Sequence, residues 1–103
     1  MLSWNNQLRY AIVWKTMKTI VITGCSAGGI GEALARSFHK RGHNVVATAR
    51  DVDKAEPLKA LGIKVLPLDV LSNASIEAFI KTVDAELDGS VDVLVNNAGR
   101  GML

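Results

Sequence analysis

The sequence is short of most things that would mark a specialised class. A single cysteine, Cys25, excludes an intramolecular disulfide and leaves no cysteine cluster for zinc. That usage fits a reducing compartment. The apolar runs are only strand-sized, too short for a transmembrane helix. No acidic residue occurs before Glu32, and nothing repeats at a fixed period. The net charge is only +2 over 103 residues. With Arg9 and Lys15 set aside, ten of the twelve basic residues remain against ten acidic ones. The domain itself is therefore balanced, and no basic stripe with interleaved aromatics is present to bind nucleic acid. Aromatics make up 5% of the chain, and both tryptophans and the one tyrosine fall in residues 1–16. What remains, 49% hydrophobic and 21% charged, is the composition of one small globular domain.

Residues 1–16 differ in texture from the rest. Trp4, Leu8 and Ala11 lie at helical spacing, which suits a short interfacial or targeting helix. The plainer reading takes Met17 as the true start and the segment before it as a non-native extension. Residues 17–103 then form a partial dinucleotide-binding domain.

From Thr19 onward strands and helices alternate. Residues 19–23 are a β-branched run suited to a buried parallel strand. Ile30, Leu34 and Phe38 line one face of a helix that Gly42 can end. Residues 44–49 read as the second strand, and 51–61 as a helix that must place Pro57 in its first turn. Residues 64–68 form a third strand, and Pro67 assigns it to an edge. Ser72 or Asn73 caps a further helix with an expected buried stripe of Ile76, Phe79, Ile80, Val83 and Leu87, closed by Gly89. Residues 91–95 are the fourth strand. This order predicts an α/β fold, a Rossmann-type doubly wound parallel sheet with strand order 3-2-1-4, ending after the fourth strand.

Four segments carry chemistry, each expected at the carboxyl end of a parallel strand, where open α/β sheets bind ligands. The first is the glycine-rich turn Gly24, Cys25, Ser26, Ala27, Gly28, Gly29, Ile30, Gly31. Side chains there would keep a pyrophosphate away from the backbone, and the helix that follows offers unpaired N–H groups and a favourable dipole. Cys25 reads as a small filler of that turn, since no base accompanies it. His39 and His43 read as solvated helix-end groups. The second segment is Ala49-Arg50-Asp51, which follows the glycine turn at the distance where an acid selects NAD and an arginine receives the 2′-phosphate of NADP. With the strand ending at Ala49, Arg50 takes that place and the cofactor is NADP(H). A slip of one residue would reverse the choice or leave Arg50 a plain surface charge. The third, after the third strand, is Asp69-Val70, suited to an adenine amino group and ring, and the fourth, after the fourth strand, is Asn96-Asn97-Ala98-Gly99, whose small residues let backbone pass close to a cofactor.

Taken together, these motifs resemble the short-chain dehydrogenase/reductase family across residues 19–99, with a TGxxxGIG-like turn, an Asp-Val pair and an NNAG string in order. The turn is one residue longer than the usual family pattern. Within the family, the chain is most similar to the fungal branch that reduces 1-acyldihydroxyacetone phosphate with NADPH. The resemblance implies NADP(H) contacts at Ser26, Ile30, Arg50, Asp69 and Asn96, and the reading of the turn and strand ends adds Gly24, Gly28, Gly29, Gly31, Val70, Ala98 and Gly99. It also implies a parent activity of NADPH-dependent ketone reduction, a dinucleotide partner and a role in lipid metabolism. The expected location is cytoplasmic, with endoplasmic reticulum or lipid-droplet surface as the alternative. The family's catalytic serine and Tyr-x-x-x-Lys pair have no match here, since Tyr10 precedes the first strand and is followed four residues on by Trp14. No catalytic residue is therefore assigned, and the chain alone is expected to be inactive. A non-catalytic dinucleotide- or partner-binding module and a non-functional gene fragment are the competing readings. An under-covered sheet face and an open fourth-strand edge are expected to leave a route to self-association.

Overall fold

The computed structural model of the chain describes residues 17–87 and 90–97. Residues 1–16, with Tyr10 and both tryptophans, Gly89, and the predicted contacts Ala98 and Gly99 lie outside that range.

Four strands, β1 (Thr19–Ile22), β2 (Asn44–Ala49), β3 (Lys64–Pro67) and β4 (Val93–Val95), pair in parallel in the order β3-β2-β1-β4. Helix α1 (Ile30–Lys40) joins β1 to β2, and α3 (Asn73–Leu87) joins β3 to β4. Between β2 and β3 the single expected helix is split into a 3₁₀ turn (Val52–Ala55) and a short α2 (Glu56–Ala60). Pro57 falls in the first turn of α2, where its missing N–H is harmless. The Asp51 side chain accepts from Asp53 N at 3.0 Å and starts the 3₁₀ turn ahead of it. At the head of α3, Ser72 Oγ accepts from Ser75 N at 3.2 Å, so Ser72 is the cap. β3 takes the edge position that Pro67 requires.

The register sorts the strand side chains into two faces. Ile20 and Ile22 align with Val45 and Ala47 of β2 and with Val93 and Val95 of β4. On this face Ala35 of α1, Leu58 of α2 and Ile63 complete a core that is almost fully buried. Val21, Val46 and Leu94 share the other face. Lys64 pairs with Val46 and is ion-paired to Glu86 of α3, which places α3 on that second side.

There the expected stripe of α3 is only partly realised. Val83 is buried and Ile76, Phe79 and Leu87 are half-buried, but Ile80 is 52% exposed. The helix leans on the edge strand β3, and among the described residues it has few contacts with β1 and β4. Leu94 of β4 is accordingly 63% exposed.

Candidate functional site

The site grows out of how β1 ends. Beyond Ile22 the ladder continues for one bond, Thr23 N to Val95 O at 3.0 Å, and the chain then turns through Gly24 at φ +72°. Cys25 N donates to Thr48 O of β2 at 2.8 Å, and Ala27 N to Lys54 O of the 3₁₀ turn at 2.8 Å. These two bonds fix the glycine turn to the neighbouring strand and its exit.

Gly28 has φ +89°, a backbone state that side chains disfavour, and Gly29 serves as the extended N-cap of α1. The first intrahelical bond is Ala33 N to Gly29 O at 3.4 Å. The N–H groups of Ile30, Gly31 and Glu32 thus have no partner within the helix.

Gly31 is held by space, not by torsion. A Cβ there would stand 2.4 Å from Gly24 O and 2.8 Å from Asn97 Nδ2. Any side chain at position 31 would push the helix start away from the turn.

A cleft of roughly 730 Å³ opens along the carboxyl ends of β1, β2 and β3, within the usual size of small-molecule sites. Of the residues predicted from sequence, Gly24, Ser26, Gly28, Gly29 and Ile30 line it from the turn, Arg50 from β2, and Asp69 and Val70 from β3. Gly31 lies buried behind them. Asn96 is not part of the wall, and its Oδ1 accepts from Thr23 Oγ1 at 3.4 Å.

Its neighbour Asn97 lines the cleft instead. Asn97 N donates to Thr23 Oγ1 at 2.9 Å, and Nδ2 to Gly24 O at 3.0 Å, so one asparagine braces the turn against β4. The paired asparagines were the available signal, and strand alternation distinguishes them only once the end of β4 is known. Ala27, Ala49, Leu68 and Leu71 complete the wall. Leu71 is 75% exposed there, and no motif in the sequence marks it.

The choice between Arg50 and Asp51 has a local answer. Ala49 is buried and ends β2, so Arg50 is the first residue clear of the sheet. Among the described residues, no hydrogen bond or ion pair engages the Arg50 side chain. Asp51 Oδ1 is meanwhile turned onto its own backbone at Asp53 N. Asp69 makes a similar turn, Oδ1 accepting from Leu71 N at 3.0 Å, while its own N–H donates to Ser75 Oγ at 2.8 Å.

Two titratable groups of the turn are shifted. The Gly28 amide, and then Arg36, hold the Glu32 carboxyl below its ordinary range. Burial pushes the Cys25 thiol up, and its Sγ donates to Ile22 O at 3.2 Å, so it fills space as an inert thiol. Among the described residues no cluster of three or more His, Cys, Asp or Glu side chains could hold a metal, and no helix is long and apolar enough to cross a membrane.

These residues fit a dinucleotide. The glycines provide a bare backbone wall, the start of α1 at Gly29 and Ile30 borders the cleft with the helix's positive end, and Arg50 stands at its edge.

Residues 18–103 match the family model described as short chain dehydrogenase. The chain is 46% identical over 87 residues to a short-chain dehydrogenase of Penicillium ochrochloron, covering 84% of this chain and 32% of that protein. It is 45% identical over 82 residues to the NADPH-dependent 1-acyldihydroxyacetone phosphate reductase of Schizosaccharomyces pombe, covering 80% of this chain and 28% of that one. A crystal structure of a short-chain dehydrogenase from Streptomyces avermitilis superposes with a TM-score of 0.73 at 36% identity, over 82% of this chain and 32% of the other. The chain thus spans about a third of the length of the relatives it matches.

Proposed function

The chain belongs to the short-chain dehydrogenase family, and on that premise we propose that it is the NADP(H)-binding portion of a ketone-reducing oxidoreductase. The observation that carries the choice of cofactor is the unengaged Arg50 beside buried Ala49, with the adjacent acid tied to its own turn. In this reading Arg50 meets the 2′-phosphate with a charge-assisted bond. The amide of Ile30 meets the pyrophosphate at the positive end of α1, and Asp69 and Val70 take the adenine. Asn97 binds nothing directly in this reading, and its bonds to Thr23 and Gly24 keep the turn open.

When bound, NADPH supplies a hydride. The remaining need of ketone reduction is a proton for the forming alkoxide. No side chain among these 103 residues offers a Tyr-x-x-x-Lys pair for it, so the chain by itself binds cofactor without turnover. The similarity to the Schizosaccharomyces pombe reductase supports 1-acyldihydroxyacetone phosphate as the parent substrate.

Titrating NADPH and NADH against wild type and Arg50→Ala tests the cofactor assignment. A charge-assisted contact is worth ~1.5–3 kcal/mol, so the preference for NADPH should shrink by tenfold or more, about 1.4 kcal/mol per decade. An unchanged preference would defeat the assignment.

A further inference from the structure

Gly28 stands in the cleft wall without side-chain packing around it. Its φ is +89°, and no atom lies within 4 Å of where a Cβ would stand, so packing does not hold it. The amides on either side are answered by backbone, Ala27 N by Lys54 O and Gly29 N by Ser26 O. The Gly28 amide is answered by a side chain: it donates to Glu32 Oε1 at 3.1 Å. The other carboxylate oxygen of Glu32 accepts from Arg36 Nη2 at 3.2 Å, one turn further along α1. Both oxygens are therefore occupied, and the carboxylate lies in the first turn of α1, where the dipole favours it. Arg36 balances its charge beside a cleft meant for an anion.

We infer that Glu32 is a positioning residue for the dinucleotide: by holding the Gly28 amide it keeps the glycine turn folded back, so that the first amides of α1 face the cleft. The inference rests on the dinucleotide reading above and adds the residue that preorganises the pyrophosphate end. Glu32 acts through Gly28 and touches no ligand. Glu32→Gln keeps an acceptor oxygen at the same reach. Glu32→Asp keeps the charge but is shorter by one methylene and cannot reach the Gly28 amide. Contact and charge are thereby separated.

The test is calorimetric titration of the whole chain and its variants with NADPH and, separately, with adenosine 2′-phosphate, which lacks the pyrophosphate. Losing a hydrogen bond to a charged group predicts NADPH binding about tenfold weaker in Glu32→Ala and Glu32→Asp. Glu32→Gln should bind NADPH close to wild type, and adenosine 2′-phosphate should bind all four proteins alike. A general loss of structure would weaken both ligands together and overturn the inference. So would Glu32→Asp binding NADPH like wild type, or Glu32→Ala binding it more tightly. Should Glu32→Ala not fold, the ranking of Gln above Asp carries the test. Wild type binding neither ligand would instead remove the dinucleotide reading itself, and this inference with it.

Discussion

The two ends of the sheet are built from the same four strands and behave as opposites. At the amino ends the polar groups are spent on one another. Thr19 N donates to Asp92 Oδ2 at 2.8 Å, Asp92 N returns to Thr19 O at 2.9 Å, and Asn44 N donates to Lys18 O at 2.9 Å. Asn44 Nδ2 and Lys18 N find Thr19 Oγ1 and His43 Nδ1 in the same clasp. At the carboxyl ends, bonds such as Cys25 N to Thr48 O and Leu68 N to Ala49 O also tie strands together. Beyond them, however, no hydrogen bond or ion pair among the described residues engages the helix-start amides or the Arg50 side chain. A parallel sheet leaves both ends needing partners. One end here is closed by protein, and the other keeps donors that suit a phosphate-bearing ligand.

That contrast predicts that damage to the two ends should separate into lost binding and lost stability. The largest effect is expected for Gly31→Val at the open end, because its Cβ would fall 2.4 Å from Gly24 O. Overpacking of this kind costs ~1–3 kcal/mol, and the displaced helix start should abolish saturable NADPH binding. Retained NADPH affinity in a titration of that variant would break the comparison.

The glycine turn that makes position 31 so sensitive was readable in sequence, as was most of the sheet. β-branched runs set β1 and β2, and Pro67 agreed with the doubly wound order in sending β3 to an edge, because these signals follow from backbone chemistry and connection rules that do not depend on side-chain packing. What sequence could not supply was tertiary. The period of α3 includes Ile80, but burial depends on what stands opposite, and among the described elements α3 packs chiefly on β3. Asn97 outranks Asn96 in the cleft wall only because β4 ends at Val95. Ala98 and Gly99 lie outside the described residues.

A middle-sized effect belongs to the closed end. Asp92→Ala removes the carboxylate that accepts from Thr19 N, and losing such a bond costs about 1 kcal/mol. The midpoint of thermal unfolding should fall while the NADPH affinity of the folded protein stays as in wild type. A loss of affinity with unchanged melting would show that the ends are not independent.

The smallest effect comes with pH. Glu32 is held below its ordinary carboxyl range by the Gly28 amide and Arg36. A depressed folded-state value means its contribution is present above the ordinary range and is lost as pH falls through the depressed one. Thermal melts from pH 6 down to pH 2 should therefore show a slightly steeper loss for wild type than for Glu32→Gln. Parallel curves would mean the contact contributes nothing to the fold.

The most direct test of the open-end cleft is to follow backbone amide signals of the isotopically labelled chain during NADPH titration. Saturable shifts are expected at residues 24–32, at Arg50, and at Asp69, Val70 and Asn97, with Lys18, Thr19, Asn44 and Asp92 unmoved. Shifts centred on the closed end, or none at saturating NADPH, would contradict this.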